Sequence, residues 1–153
     1  MAGFPSWSPD GKRIVYKRGK QLVILSLADH QTSPLTEGSH YDNFPQWSPK
    51  GDVIMFTSNR SGQYQIYTIR PDGSGLKQLT NTLGTNAHST WSPDGEWILF
   101  SSGRMGFKDE RAQYEPGLQP YGQIFVMRAD GSDVRQLTDN KWENGTPAWM
   151  PGT

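Results

Sequence analysis

Three polar side chains stand at equivalent places in the sequence, each five residues before a tryptophan. They are Asp42, Asn86 and Asn144, which precede Trp47, Trp91 and Trp149. Carboxylate and amide oxygens are the ligands that hard cations prefer. The spacing therefore predicts a ring of polar groups that binds a ligand or a cation. The alternative is that these side chains cap the turn that leads into each following strand, as Asx residues commonly do.

The histidines offer a second kind of chemistry. The chain has three of them, His30, His40 and His88. Neutral imidazole is a frequent metal ligand. His40 and His88, together with Asp42 or Glu143, therefore form a candidate site for a divalent metal. No local motif such as His-Glu-x-x-His accompanies them, so hydrogen-bonded or solvated loop histidines are the competing interpretation.

A long irregular stretch, Gly103 to Gln123, interrupts the repeat pattern described below and mixes aromatic with charged side chains. Long insertions are often binding loops or lids, although a disordered or merely decorative loop is the alternative. Tyr121 and the nearby Trp142 offer aromatic surfaces for a sugar or a peptide, unless they pack in the core. The candidate ligand-binding residues of this region are Arg104, Asp109, Glu110, Tyr121, Trp142 and Glu143.

Arg104 also belongs to a repeated arginine, since Arg18 and Arg60 stand at corresponding points of the preceding repeats. An arginine in every repeat indicates a structural role, such as donating hydrogen bonds to loop carbonyls or to an acidic neighbour. Both interpretations of Arg104, ligand binding and structural support, remain open at this point.

A recurring triplet shows which elements must position these residues. Trp-Ser-Pro begins at Trp7, Trp47 and Trp91, and a degenerate copy, Trp-Met-Pro, begins at Trp149. A Leu-Thr pair precedes each of the last three tryptophans by 12 residues. Self-similarity at about 40 residues is the signature of a propeller or solenoid.

Each repeat predicts four short strands. The first strands span 4–8, 44–48 and 89–92, the second 13–17, 53–58 and 97–102, and the third 22–27, 65–70 and 124–128, while each fourth strand ends in Leu-Thr. The run Ile54-Met55-Phe56 places apolar side chains on both faces of its strand. A sheet exposed on one side would alternate apolar and polar residues. Burial on both faces therefore indicates sheets stacked on sheets, as in propeller blades.

Composition excludes several classes of protein. Fifteen basic residues balance fifteen acidic ones, which gives no general footprint for nucleic acid or a membrane surface. The chain has no cysteine and no long apolar run, so disulfides and membrane insertion are not expected. No signal peptide is recognisable in this chain. Gly-x-Ser-x-Gly and phosphate-binding glycine loops are absent, and no catalytic residue is predicted.

The order Pro-x-Trp-Ser-Pro-Asp-Gly, an Ile-x-Phe/Tyr strand, an Ile-Tyr/Phe strand, Asp-Gly and Leu-Thr closely resembles the TolB-type, WD-repeat-like β-propeller family. The resemblance covers nearly the whole chain. It implies an all-β fold in one domain, 1–153, with three four-stranded antiparallel blades and one extra C-terminal strand, half of a six-bladed ring. The blades span about 4–37, 43–80 and 87–138, and the extra strand about 146–150. Blade 1 departs most, because Leu27-Ala28-Asp29-His30 replaces the Asp-Gly turn.

The resemblance also implies a function. We expect a non-catalytic interaction module that presents a loop-rich face to a protein or peptide, in the periplasm or outside the cell. One alternative is a carbohydrate-active, lyase-like propeller that acts on an oligosaccharide, since some propeller polysaccharide lyases hold a metal with histidines on this face. The other is a structural half-propeller, which either dimerises head-to-tail into six blades or forms part of a longer chain. No cofactor is required, although a divalent cation is compatible with the histidines.

Overall fold

The computed structural model describes residues 2–104, 122–140 and 144–150, whose regular structure is entirely β. These residues form three four-stranded antiparallel sheets, one for each repeat, with the strands of each sheet adjacent in chain order. The strands of the first sheet are β1 (Ala2–Trp7), β2 (Arg13–Arg18), β3 (Gln21–Ser26) and β4 (Thr32–Pro34). Those of the second are β5 (Asp42–Trp47), β6 (Ile54–Ser58), β7 (Gln65–Ile69) and β8 (Lys77–Gln78). Those of the third are β9 (Asn86–Trp91), β10 (Trp97–Ser102), β11 (Gln123–Arg128) and β12 (Arg135–Gln136). The predicted all-β class and the three four-stranded blades are confirmed.

The first strand of every blade begins two or three residues earlier than predicted. Each of these strands contains a bulge, where the pairing with the second strand shifts register. The residue at the bulge has a positive φ, 56° at Phe4, 51° at Phe44 and 48° at His88. Pairing resumes on the far side of the bulge, which extends the strand toward its N-terminus. Each fourth strand ends before the Leu-Thr pair.

The predicted extra strand at 146–150 is not formed by the described residues. Asn144 makes an isolated antiparallel bridge with Gly122, and residues 145–150 continue without ladder pairing. A β-strand is defined by its hydrogen-bonded neighbour, and no second strand of the described chain lies along this segment. The segment nevertheless repeats the left-handed backbone of the other copies, since φ at Thr146 is 38°.

Two apolar cores lie between the blades. The second and third blades turn the same positions toward the preceding blade, namely the tryptophan and alternate residues of the second and third strands. The core between blades 1 and 2 comprises Val15, Leu22, Ile24, Leu35, Trp47, Ile54, Phe56, Tyr67 and Ile69. The core between blades 2 and 3 comprises Met55, Ile66, Trp91, Ile98, Phe100, Phe125 and Met127. The blades therefore stack face to face, as the double-sided burial of their strands predicted.

The Ser-Pro-Asp-Gly sequence after the tryptophan builds the tight turn between the first two strands. The Ser8 hydroxyl accepts a hydrogen bond from the backbone N–H of Arg13 at 2.9 Å and donates one to the Asp10 carboxylate. Asp10 in turn accepts from the N–H of Lys12 at 3.0 Å. These bonds favour the charged carboxylate and hold the pKa of Asp10 below its ordinary value. Blade 3 repeats the arrangement with Ser92 and Asp94.

The longer connections meet at the opposite end of the blades. The backbone N–H of Asp42 donates to the carbonyl of Lys20 at 2.9 Å, and that of Asn86 donates to the carbonyl of Tyr64 at 2.8 Å. Each bond joins the start of one blade to the loop between the second and third strands of the preceding blade. No helix in the described part of the chain is long and apolar enough to cross a membrane.

Candidate functional site

An open groove with a volume of about 430 Å³ runs along the first strands of the blades. It is lined by three consecutive residues from each copy of the repeat, 4–6, 44–46, 88–90 and 146–148. Every trio directly precedes a tryptophan. Because the first strands of propeller blades surround the axis of the ring, we call this surface the axial groove.

The backbone explains why these side chains face the groove. The first residue of every trio, Phe4, Phe44, His88 and Thr146, has a positive φ between 38° and 56°. Residues other than glycine rarely adopt this conformation, and it is rarest for bulky or β-branched side chains. Backbone strain of this kind persists only where the surrounding structure fixes it, and it clusters at functional sites. The fourfold recurrence therefore indicates a built feature of the groove.

Aromatic rings line one stretch of the axial groove. The ring centroids of Phe4 and Phe44 lie 4.6 Å apart, and those of Phe44 and His88 lie 4.4 Å apart. Phe4 is 50% exposed, so the row is open to solvent at the end where blade 1 lies. Burial lowers the pKa of His88, and its imidazole is therefore neutral at pH 7. The row presents a largely apolar, uncharged surface.

The three polar residues that recur five positions before each tryptophan lie at the starts of the first strands, where Asp42 and Asn86 are buried. Asp42 accepts hydrogen bonds at both carboxylate oxygens, 3.0 and 3.1 Å from Nη2 of Arg60. Nε of Arg60 donates to Oγ of Ser58 at 2.9 Å. Arg60 therefore ties the first strand of blade 2 to the loop after its second strand.

Blade 3 makes the same connection with a neutral partner. Oδ1 of Asn86 accepts from Nη2 of Arg104 at 3.1 Å, while its Nδ2 donates to Gln65 at 2.9 Å and to Thr82 at 3.0 Å. Asn144 donates to Oδ1 of Asn140 at 3.1 Å. These side chains bond to arginine, amide and hydroxyl side chains around them. Arg60 and Arg104 have the structural contacts that a repeated arginine indicated.

The remaining predicted site residues are dispersed. His88 lies in the axial groove, whereas His40 is exposed in the loop between β4 and β5. Within residues 2–104, 122–140 and 144–150, no group of three or more His, Asp or Glu side chains is placed to hold a metal ion. A divalent cation therefore stays a prediction. Asp109, Glu110, Tyr121, Trp142 and Glu143 lie outside the described residues.

Sequence reasoning missed most of the groove. The motifs point to His88 but not to Phe4, Phe44 and Thr146, although all four residues stand three positions before a tryptophan. The common offset from the tryptophan was the available signal. Aligning the four copies at that offset would have placed all four residues at one equivalent site.

Comparisons with known proteins agree with this geometry. The family model of the TolB beta propeller domain matches residues 1–108. An uncharacterised protein of Agrobacterium fabrum is 31% identical over 95% of this chain, which corresponds to 50% of that protein. An uncharacterised peptidase of Bacillus subtilis, YuxL, is 28% identical over 96% of this chain and 27% of its own length.

Solved structures show the same architecture. A TolB-type protein from Agrobacterium tumefaciens superposes with a TM-score of 0.76 at 27% identity, covering 95% of this chain and 52% of that one. TolB from Acinetobacter baumannii superposes with a TM-score of 0.70 at 25% identity, covering 94% and 34%. The chain thus spans about half, or less, of the length of these relatives. On its repeats, its blades and the matching family model, the chain belongs to the TolB β-propeller domain family.

Proposed function

We propose that this chain is a non-catalytic binding module that takes an extended segment of a partner protein or peptide along its axial groove. The observation that carries the proposal is the repeated trio before each tryptophan. Four equivalent trios give the groove a regular series of contact positions, and such a series suits a ligand that is itself regular along its length, as a polypeptide is.

The chemistry of the groove specifies the kind of segment. Phe4, Phe44 and His88 provide adjoining rings, and the pKa of His88 is lowered, so this row carries no charge at pH 7. Aromatic surfaces of this type favour apolar, aromatic or proline side chains. We therefore expect apolar peptides to bind more tightly than acidic or basic ones.

The proposed module acts in the periplasm or outside the cell. The family resemblance supports a periplasmic or extracellular location, and the loop-rich end of the blades supports a second contact surface for the same partner. A catalytic role is not proposed, although one relative bears the name of a peptidase. The match covers 27% of that relative, and the chain lacks a Gly-x-Ser-x-Gly nucleophile motif.

Selection from a displayed library of random peptides, followed by fluorescence anisotropy with the selected peptides, tests the proposal. Phe44→Ala is expected to weaken binding about tenfold or more, because one central ring contact is worth about 1.5 kcal/mol. The matched control is Leu76→Ala, which removes another partly exposed apolar side chain, in the turn after the third strand of blade 2. Equal binding by both variants, or selection of no peptide at all, would contradict the groove as the binding site.

A further inference from the structure

The outward face of blade 1 is the same surface that blades 2 and 3 use to pack on their predecessors. Trp47 and Trp91 are 5% and 8% exposed within those interfaces, whereas the equivalent Trp7 is 60% exposed. Tyr16 and Leu25 stand in register with buried residues of blade 2 and are themselves only half-buried. The outward face of blade 1 thus corresponds to the faces that blades 2 and 3 bury against the preceding blade, but no blade of the described residues covers it.

The outward face of blade 3 is the complementary surface. Leu35, at the end of blade 1, is 7% exposed because blade 2 covers it, whereas the equivalent Leu137 is 56% exposed. Ile124 and Val126 occupy the register positions of Leu22 and Ile24, which are buried in the first core. The two ends of the stack therefore match each other in the way that adjacent blades match.

Residues 144–150 already sit on the face of blade 3, in the place of a next first strand. The N–H of Asn144 donates to the carbonyl of Gly122 at 2.7 Å, as Asn86 does to Tyr64 at 2.8 Å. Nε1 of Trp149 donates to the carbonyl of Thr90 at 3.2 Å, as that of Trp91 does to Gln46 at 3.4 Å. The segment is docked by the contacts that dock a complete blade.

We propose that the face of blade 3 binds blade 1 of a second copy of this chain, and that residues 144–150 compete with the incoming Ala2–Trp7 for the same place. A second copy is the expected partner because it continues the interfaces already described. Its Trp7 would pack on blade 3 as Trp47 packs on blade 1 and Trp91 on blade 2. The competition is indicated by sequence, since Gly3-Phe4-Pro5-Ser6-Trp7 and Gly145-Thr146-Pro147-Ala148-Trp149 share Gly, Pro and Trp at the same spacing.

The hydrogen bonds of the two segments indicate which one leaves the face of blade 3. β1 is paired with β2 at four register positions. No second strand of the described residues pairs with residues 145–150, which are held by the Asn144 bridge and by Trp149. Displacing residues 144–150 therefore breaks only the few hydrogen bonds of Asn144 and Trp149, whereas an incoming blade 1 docks with its own β1–β2 pairing intact. Two copies joined at both ends would close six blades, within the range of four to eight that propellers use.

Analytical ultracentrifugation of the full chain across a wide concentration range tests this inference. Trp149→Ala is expected to strengthen dimerisation about tenfold or more, because it weakens the competitor. Met150→Ala is the matched control, since Met150 is 85% exposed next to it and should leave dimerisation unchanged. Trp7→Ala is expected to weaken dimerisation at least as strongly, and the double variant with Trp149→Ala should also associate poorly.

Other outcomes would overturn the inference. If Trp149→Ala weakens association, residues 144–150 belong to the interface and are not a competitor for it. If Trp7→Ala changes nothing, or if all variants stay monomeric at every concentration, the outward face of blade 1 does not bind a second copy. Deletion of residues 144–153 gives an independent check of the competition. Near-ultraviolet circular dichroism establishes that each variant remains folded.

Discussion

At the scale of single residues, an arginine after the second strand is bonded to the first strand in blades 2 and 3. Arg60 reaches back to the carboxylate of Asp42 and lies 5.1 Å from the ring centres of both Phe56 and Tyr67. The pair is largely shielded from water, since the side chains are 17% and 1% exposed. Removing one partner of such a pair leaves the other charge poorly solvated, which costs more than the intact pair contributes.

Replacement of Asp42 by alanine tests this view of the pair. The Asp42→Ala variant should lose about 3 kcal/mol of unfolding free energy, because the largely shielded Arg60 loses its carboxylate partner. Asp52→Ala is the control, since Asp52 is exposed and its removal should change the free energy by less than about 0.5 kcal/mol. Urea denaturation measures both. Asp42→Asn should fall between them, because Asn86 holds the equivalent position opposite Arg104. A loss no larger for Asp42→Ala than for Asp52→Ala would show that the pair is not required.

At the scale of elements, the first strand of each blade forms much of the contact with the preceding blade. β5 and β9 each carry a tryptophan into the interface with the preceding blade, and the backbone N–H of Trp47 donates to Oγ of Ser6 in blade 1 at 2.9 Å. The tryptophan of β1 has no preceding blade among the described residues. The same residue type at the same position of the repeat is thus buried in one strand and exposed in another.

This contrast gives a matched pair of substitutions. Trp47→Ala should reduce the unfolding free energy by about 3 to 5 kcal/mol, because it opens a cavity between blades 1 and 2. Trp7→Ala should cost less than about 1 kcal/mol under monomeric conditions, since most of that side chain is already in water. Thermal and chemical unfolding at low protein concentration measure the two losses. Similar losses for both variants would mean that burial between blades does not decide the role of this tryptophan.

The elements were largely predictable from sequence, whereas the groove was not. Trp-Ser-Pro and Leu-Thr recur because the turn and the interface between blades require them, so their spacing predicts the blades directly. The bend at Phe4 and Phe44 has no such signal, since phenylalanine rarely adopts a positive φ and a residue before proline favours an extended backbone. The repeat therefore predicts a straight strand from position 4 and from position 44. The arginine pairs are predictable only in part. The sequence shows that the arginine and its polar partner each recur in the repeat, but it does not show that they contact each other.

At the scale of the whole molecule, stability is unevenly distributed along the stack. Every residue of β6 and β7 is buried, because blade 2 has a neighbour on both sides. β1, in contrast, contains only exposed and half-buried residues. In repeat architectures each unit is stabilised mainly by its nearest neighbours, so the central blade should be the last to open.

Amide hydrogen exchange checks this expectation on the unmodified chain. The amides of Ile54–Ser58 and Gln65–Ile69 should exchange most slowly, and those of Ala2–Trp7 should exchange much faster, because local opening at a free edge exposes them. The measurement belongs at low protein concentration, where a second copy does not cover blade 1. Uniform protection across all three blades would show instead that the stack unfolds only as one unit.

The left-handed bend before each tryptophan has a consequence for how such a protein changes over time. The same backbone carries phenylalanine twice, histidine once and threonine once at this point, so its course does not depend on any one of these side chains. Mutation can therefore replace the side chain that each blade presents in the axial groove while the backbone beneath keeps its course. If the axial groove binds a partner as we propose, recognition can be revised one blade at a time, and a designer can alter one contact at a time.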